Sequence, residues 1–232
     1  MTLTRRRALE ELYALLAVQT QAVGAPRRLA DCSGKDGWPD QGVYFFHEPG
    51  EFREEGTTPR IVRVGTHRLT ERSTTTLWTR LRAHRGSLGG RSPGGGNHRG
   101  SVFRLHIGTA LIARDDYPEA AETWGKGPTA PRAVRDLEVD LERAVSQYIG
   151  SMHVLWIAVP DRADRAAVER GCISLLTNMN REPIDPPSKT WLGHLADRAT
   201  IRASGLWNVH HVDAQPDLDV LELLRSLVTP AA

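Results

Sequence analysis

Side chains suited to moving protons and holding charge occur along the chain in an ordered series. Tyr44 and Arg63 lie in two successive apolar runs, Arg80 and His84 follow in a helical pattern, and Glu169 lies in a later helical pattern. Hydrolysis of a phosphodiester needs an activated water, a clamp for the developing negative charge and a stabilised leaving oxygen. A phenol, guanidinium groups, an imidazole and a carboxylate can meet these needs together, so these five residues are candidate catalytic residues.

Two short strands and a helix are predicted to hold the first four candidates. The apolar runs 42–47 and 60–65 flank a polar segment with Pro and Gly, a pattern that predicts an antiparallel hairpin. Ser and Thr residues that can cap a helix open the helical pattern over 74–85. Arg80 and His84 are four residues apart in that pattern, so both can point from one helix face into one cleft.

Hydrophobic periodicity predicts further elements on both sides of this region. An amphipathic helix is expected over 4–21, before a loop rich in Gly, Pro and Asp. Downstream, the expected elements are a Gly-rich segment (86–100), helices over 101–113 and 130–149, a third strand (154–159), a helix over 165–177 and a terminal helix over 220–228. Glu169 therefore lies on the helix that follows the third strand.

Short motifs within these elements stand in a recognisable order. The hairpin carries Gly42-Val43-Tyr44 in its first strand and Arg63-Val64-Gly65 in its second. The next helix carries an Arg followed by a His, and a Glu comes after the third strand. This order resembles the GIY-YIG nuclease family, with Arg63 in place of the tyrosine of the second motif. The resemblance covers roughly 42–85 and 151–180.

The resemblance implies an α/β fold with a small three-stranded sheet, mixed or antiparallel, flanked by helices. On this interpretation the core spans 42–180 and contains a helical insertion at about 86–150. Residues 1–41 form an N-terminal helix and loop, and residues 181–232 form a C-terminal extension packed on the core.

The resemblance also implies an endonuclease that hydrolyses DNA phosphodiester bonds with Mg²⁺ (or Mn²⁺), and restriction-type cleavage of foreign duplex DNA is the preferred setting. Mg²⁺ prefers oxygen ligands and keeps several waters, so one carboxylate can suffice. Glu169 is the expected metal ligand because the family's Glu follows the third strand. Glu138 and Glu142, which precede that strand, are the alternatives. A palindromic target would call for a twofold homodimer.

The other candidates receive roles from the same chemistry. Arg80 would bind the scissile phosphate through two N–H groups, since guanidinium suits bidentate contacts with phosphate oxygens. Tyr44 would position or deprotonate the attacking water, and His84 would pass a proton or bind phosphate. Arg63 would add a second phosphate contact in place of the missing tyrosine.

A basic block lies inside a nearly neutral protein. The chain has a net charge of +2, yet residues 60–104 hold ten Arg and three His against the single acidic residue Glu71. Such clustering is typical of a surface that contacts nucleic-acid phosphates. The predicted substrate-binding residues are His67, Arg82, His98 and Arg99 from this block, and Asn178 after the Glu169 helix.

Composition excludes several other classes. With 40% apolar and 25% charged residues, the 232-residue chain is typical of a globular domain, and no apolar run approaches the roughly 18 residues of a membrane helix. Cys32 and Cys172 have no metal-binding spacing and are expected to be reduced thiols in a cytoplasmic protein.

Two alternative functions stay open. One is a catalytically inactive DNA-binding module, suggested by Arg63, and the other is an unrelated interaction protein whose motif matches arise by chance.

Overall fold

The computed structural model describes residues 4–70, 73–87 and 95–228. Glu71 and part of the Gly-rich segment lie outside the described residues. The helices are α1 (Arg5–Val23), α2 (Leu77–Arg85), α3 (Val102–Arg114), α4 (Pro118–Ala121), α5 (Arg132–Leu137), α6 (Val139–Ser151), α7 (Arg162–Leu176), α8 (Ala199–Ser204) and α9 (Val220–Val228). Short 3₁₀ turns cover Leu29–Asp31, His98–Gly100 and Leu192–Leu195. The strands are β1 (Arg27–Arg28), β2 (Gly42–Phe52), β3 (Pro59–Gly65) and β4 (His153–Ala158).

The strands form one antiparallel sheet in the order β1-β4-β2-β3. The α/β class is confirmed, and the sheet is antiparallel rather than mixed. The prediction of three strands was wrong by one, because the two-residue β1 pairs with β4 inside a segment predicted as a loop. Two residues are too few to carry a period-two pattern. Tyr44 lies on the central strand β2, opposite Gly65 of β3 and Trp156 of β4.

Helices cover both faces of the sheet, and each face has its own hydrophobic core. Successive side chains of a strand point to opposite faces. Val43 and Phe45 accordingly pack in one core with α1, α7 and α9. Tyr44 and Phe46 pack in the other core with α2, α3 and α6. A candidate catalytic side chain is therefore part of the second core rather than of an exposed strand face.

The insertion region is helical as predicted, but its long helix is divided. In place of one helix over 130–149 the chain forms α5, which begins at Arg132, and α6, which continues to Ser151, with Glu138 between them. Among the described residues, no helix is long and apolar enough to cross a lipid bilayer.

Candidate active site

Tyr44 and His84 meet at the centre of the site. The Tyr44 hydroxyl lies 2.7 Å from His84 Nε2, and both side chains are fully buried. His84 belongs to α2, whose first turn is capped by Thr76 and whose C-terminal residues precede Gly86. The helix thus brings His84 onto the sheet face that carries Tyr44.

Steric contacts explain why each of the two hairpin motifs has a glycine, Gly42 in the first and Gly65 in the second. A Cβ on Gly65 would collide with the hydroxyl and ring of Tyr44, which lies directly opposite it on β2. A Cβ on Gly42 would collide with the carbonyl oxygen of Ile157 on β4. Close approach of this kind is a recurrent use of glycine. Gly65 therefore leaves the space that the Tyr44 side chain occupies, and Gly42 allows the close approach of β4 to β2.

Arg63 lies beside Tyr44, at the place of the second motif's tyrosine. Its Nη1 donates to the Trp207 carbonyl at 2.7 Å, and its guanidinium carbon lies 4.6 Å from the centre of the Phe103 ring. Burial lowers the pKa of Arg63, and the neighbouring Tyr44 and Glu169 oppose that shift. Arg63 Nε is buried and has no hydrogen-bond partner among the described residues. A buried donor without a partner is costly, so Arg63 retains capacity to bind an anion.

Glu169 of α7 reaches the same cluster from the other side. Burial raises the pKa of Glu169, while Arg63, the Thr66 amide, Arg80 and His210 act in the opposite direction. The ion pairs formed among the described residues do not include Glu169. Its carboxylate is therefore half-buried, close to several cations and not held by any one of them.

Arg80 is half-buried and weakly held by the protein. Its Nη1 donates to the Gly100 carbonyl over 3.5 Å, which is at the limit of hydrogen-bond length. Burial lowers the pKa of His84 well below its usual value, and the charges of Arg80, Arg63 and Arg104 lower it further. His84 is thus a neutral imidazole among guanidinium groups, one of which is free to turn toward a ligand.

Two further predicted substrate-binding residues lie near this cluster. His67 is 5% exposed, and its Nε2 lies 3.0 Å from the Asp40 carbonyl, while Nδ1 has no partner among the described residues. Burial lowers the pKa of His67, helped by Arg165 and Arg80. Arg82 is exposed on α2 and lines a cleft of about 570 Å³ next to the Gly-rich segment.

His98 and Arg99 are held by the protein itself. His98 is buried, contacts Glu142 Oε1 through its amide (2.7 Å) and Nδ1 (3.0 Å), and stacks on Trp124 at 3.8 Å between ring centres. Arg99 forms two bonds, of 2.6 and 2.8 Å, to Glu138. The prediction that these residues bind substrate stays untested, and their geometry favours a structural role.

These contacts also bear on the alternative metal ligands. Glu138 is occupied by Arg99, and Glu142 by His98 and by Arg104, whose guanidinium forms a close ion pair with it. Burial disfavours ionisation of both carboxyls, but these donors outweigh it and hold their pKa values below the usual range. Buried ion pairs of this kind are satisfied within the protein, which leaves Glu169 as the better candidate for a metal.

Asn178 also lies in a structural network. Its Oδ1 accepts hydrogen bonds from Arg5 Nη2 at 3.1 Å and from the Ile184 amide at 2.9 Å. Arg5 in turn donates to the Leu175 and Thr177 carbonyls, so the network joins α1 to the end of α7.

We expect Asn178→Ala to lower the free energy of unfolding by about 1–3 kcal/mol, because it leaves a partly buried donor without its acceptor. Chemical denaturation would measure this loss. Asn178→Asp, which keeps the acceptor position, is the matched control. If the alanine variant were as stable as the parent but bound DNA less tightly, Asn178 would be a substrate contact as first predicted.

Two residues near the site were not singled out from sequence. Ser101 Oγ lies 2.8 Å from His84 Nδ1, and His210 lies close enough to Glu169 to affect its pKa. His210 precedes His211, which has a left-handed backbone with φ of 64°. Neither residue lies in one of the motifs, since each reaches the site from a loop or a helix start.

The described part of the chain contains no group of three or more His, Cys, Asp or Glu side chains placed to hold a metal ion. Mg²⁺ can be bound by one or two carboxylates together with its own water molecules. The Glu169 carboxylate fits such a ligand, because Mg²⁺ prefers oxygen ligands.

The antiparallel sheet and its flanking helices form an α/β domain that brings Tyr44, Arg63, Arg80, His84 and Glu169 close to one another. A family model described as GIY-YIG domain matches residues 3–232, almost the whole chain. The chain therefore belongs to the GIY-YIG nuclease family. No curated protein and no solved structure matches it.

Proposed function

We propose that this chain is a metal-dependent endonuclease that hydrolyses DNA phosphodiester bonds, with Mg²⁺ (or Mn²⁺) bound by Glu169. The support is one observation: the residues of five separated sequence positions form one cluster. Tyr44 contacts His84, and the charges of Arg63, Arg80 and Glu169 affect one another there. Chance motif matches give no reason for this convergence.

Glu169 is suited to the metal for two reasons. It offers hard oxygen ligands that no ion pair among the described residues occupies. Its raised pKa also indicates that the ionised carboxylate lacks full compensation within the protein, so a bound cation would supply it. When bound, Mg²⁺ supplies charge stabilisation for the phosphate and the leaving oxygen.

The two arginines are suited to the phosphate. Arg80 can leave its long contact with Gly100 at little cost and present its N–H groups to the scissile phosphate. Arg63 is fixed by Trp207 and Phe103, and its unpartnered Nε lies within the buried cluster. Arg63 thus supplies a positive charge in a fixed position, and Arg80 supplies a guanidinium that can turn to bind the phosphate.

Tyr44 is suited to position and activate the attacking water. Its hydroxyl is held by His84 and lies beside Arg63, so the oxygen has a fixed direction. The surrounding side chains are buried, which strengthens charge interactions relative to open solvent. His67 and Arg82 flank the cluster and are the proposed contacts to neighbouring phosphates.

The biological setting that we propose rests on the family resemblance alone. It is restriction-type cleavage of duplex DNA by a cytoplasmic protein, with a homodimer where the target is palindromic.

Incubation of the purified protein with plasmid and linear DNA, in Mg²⁺, Mn²⁺ or EDTA, tests the proposed function. We expect nicked or linear products with either metal and none in EDTA. Protein carrying Glu222→Gln, an exposed carboxylate on α9, is the matched control and should cleave like the parent.

The alternatives give other results. Salt-sensitive DNA binding without cleavage would favour the inactive binding module that Arg63 suggests, because phosphate contacts weaken as salt rises. A protein that neither binds nor cleaves DNA under these conditions would contradict both proposals.

A further inference from the structure

We propose that Asn208 is a positioning residue for Arg63. Its side chain anchors segment 205–208 to β3, and a carbonyl group of that segment binds the Arg63 guanidinium. Its effect on cleavage rests on the endonuclease function proposed above, whereas its effect on Arg63 can be tested without it. Asn208 lies outside the sequence motifs, 144 residues from the strand residue Val64 that it contacts.

Segment 205–208 lies along the outer edge of β3. This strand is the last in the sheet order and pairs with β2 on its other side. The Trp207 amide donates to the Val62 carbonyl at 2.8 Å, and the Gly205 carbonyl accepts from Arg60 Nη1 at 2.6 Å. The segment therefore covers backbone groups that an edge strand would otherwise expose.

Asn208 continues this pairing with its side chain. The Val64 amide donates to Oδ1 at 3.1 Å, and Nδ2 donates to the Val64 carbonyl at 2.8 Å. Asn208 is 5% exposed. A backbone N–H can only donate and a carbonyl oxygen can only accept, so Val64 fixes the orientation of the side-chain amide. The position requires one acceptor and one donor side by side, which a carboxamide supplies.

The two anchored strand residues are the chain neighbours of Arg63. Val62 and Val64 bind the segment on either side of it, and Arg63 Nη1 then donates to the Trp207 carbonyl at 2.7 Å. Trp207 is fully buried, and its Nε1 donates to Glu48 Oε2 at 3.0 Å. The place of the Trp207 carbonyl, and with it the place of the guanidinium, thus depends on how the segment is held.

The position of the guanidinium matters for the proposed chemistry. Arg63 lies against Phe103 and beside Tyr44, and its Nε has no partner among the described residues. An arginine side chain has many rotamers, so the loss of a fixed acceptor lets it leave this position. A displacement of about 1 Å in a reacting group can lower a rate by about a hundredfold. Loss of the Asn208 contacts should therefore affect the reaction as well as the stability.

Nitrogen-15 spectra of arginine-labelled protein follow Arg63 in the absence of DNA. A guanidinium held by a hydrogen bond turns slowly, so its Nη groups give separate signals. We expect separate signals for Arg63 in the parent, identified by their loss in Arg63→Met, and merged signals in Asn208→Ala. Asn208→Asp keeps the acceptor but sets a carboxylate oxygen against the Val64 carbonyl, so it should act in the same direction. It is the second variant if Asn208→Ala does not fold.

Single-turnover cleavage at saturating DNA measures the effect on the reaction. We expect Asn208→Ala to lower the rate by about 10- to 100-fold. Thr177→Val is the matched control, because the buried Thr177 hydroxyl also binds one backbone amide and one carbonyl, those of Met179 and Val212. This control should lower the melting temperature and leave the cleavage rate unchanged.

A double-mutant cycle separates positioning of Arg63 from a general structural role. Residues that act through one another have effects that do not add. In Arg63→Met protein, which keeps a long side chain without the guanidinium, Asn208→Ala should lower the residual rate by less than about twofold. A purely structural role of Asn208 would lower the rate by the same factor in both backgrounds.

Merged Arg63 signals in the parent, or separate signals in folded Asn208→Ala, would overturn the proposal. So would a parent-like cleavage rate in Asn208→Ala, or equal factors in the two backgrounds. If the parent cleaved no DNA, the endonuclease proposal would fail, while the nitrogen spectra would still decide whether Asn208 positions Arg63.

Discussion

Glu169→Gln should abolish metal-dependent cleavage while leaving the fold intact. The substitution keeps the size of the side chain but removes the anionic oxygen proposed to bind Mg²⁺. A metal ion contributes several kcal/mol of charge stabilisation to such a reaction, and each step of about 1.4 kcal/mol is a factor of ten in rate. We therefore expect a loss of about a thousandfold or more, measured as the single-turnover rate of plasmid nicking in Mg²⁺.

The same variant should be more stable than the parent at neutral pH. Burial raises the pKa of Glu169, so between its usual and its raised pKa the folded protein binds more protons than the unfolded chain. The free energy of unfolding contributed by this group therefore falls as pH rises through that window. The amide introduced by the substitution has no charge to bury. The stability advantage of the variant should be present above the raised pKa and should disappear below about pH 4, the usual carboxyl range.

Glu142→Gln is the matched comparison, because it changes the alternative metal ligand. Hydrogen bonds from His98 and the ion pair with Arg104 overcome burial and lower the pKa of Glu142, so its charge stabilises the folded state above the usual carboxyl pKa. This variant should have a lower melting temperature at pH 7, the opposite sign to Glu169→Gln. If Glu169→Gln cleaved as fast as the parent and folded Glu142→Gln did not cleave, the metal ligand would have to be reassigned to Glu142.

Local sequence patterns predicted the elements that carry the motifs. The hairpin of β2 and β3 follows from two apolar runs separated by Pro and Gly, and α2 follows from its capping residues. The same patterns missed β1, whose two residues are held by pairing with β4, where Arg27 lies opposite Val154, rather than by their own composition. Strand pairing between distant segments is a tertiary property, which no local pattern of two residues can carry.

The basic block at residues 60–104 shows that local sequence patterns also fail to reveal the distant partners of charged side chains. Arg99 and His98 follow a Gly-rich segment and look like a phosphate-binding pair, but their carboxylate partners Glu138 and Glu142 come about forty residues later. Charge counts over a window do not include such distant partners. The order of the motifs along the chain predicted Tyr44, Arg80, His84 and Glu169 as one set, and the structure brings these residues close together. Ser101, whose contact with His84 depends on how α3 packs, could only be found in three dimensions.

Arg80→Ala and Arg82→Ala should affect different steps although the residues are two positions apart on α2. Arg80 shares the helix face of His84 and influences the pKa values of His84 and Glu169, whereas Arg82 is exposed and lines the outer cleft. Arg80→Ala removes the proposed contact to the scissile phosphate. It should lower the cleavage rate at saturating DNA by about 10²–10³-fold, the usual cost of losing one charge-stabilising donor. Because the hydrogen bond from Arg80 to the Gly100 carbonyl is long, we expect the free energy of unfolding of Arg80→Ala to be close to that of the parent.

Arg82→Ala should instead weaken DNA binding and leave the rate at saturation close to that of the parent. Loss of one phosphate contact lowers affinity for all sequences and reduces the slope of log affinity against log salt by about one. Fluorescence anisotropy at several salt concentrations, together with single-turnover cleavage, separates the two effects. Equal rate losses in both variants would contradict the division of α2 into a catalytic face and a DNA-binding face. A pure affinity loss in Arg80→Ala would place that guanidinium on a neighbouring phosphate rather than on the scissile one.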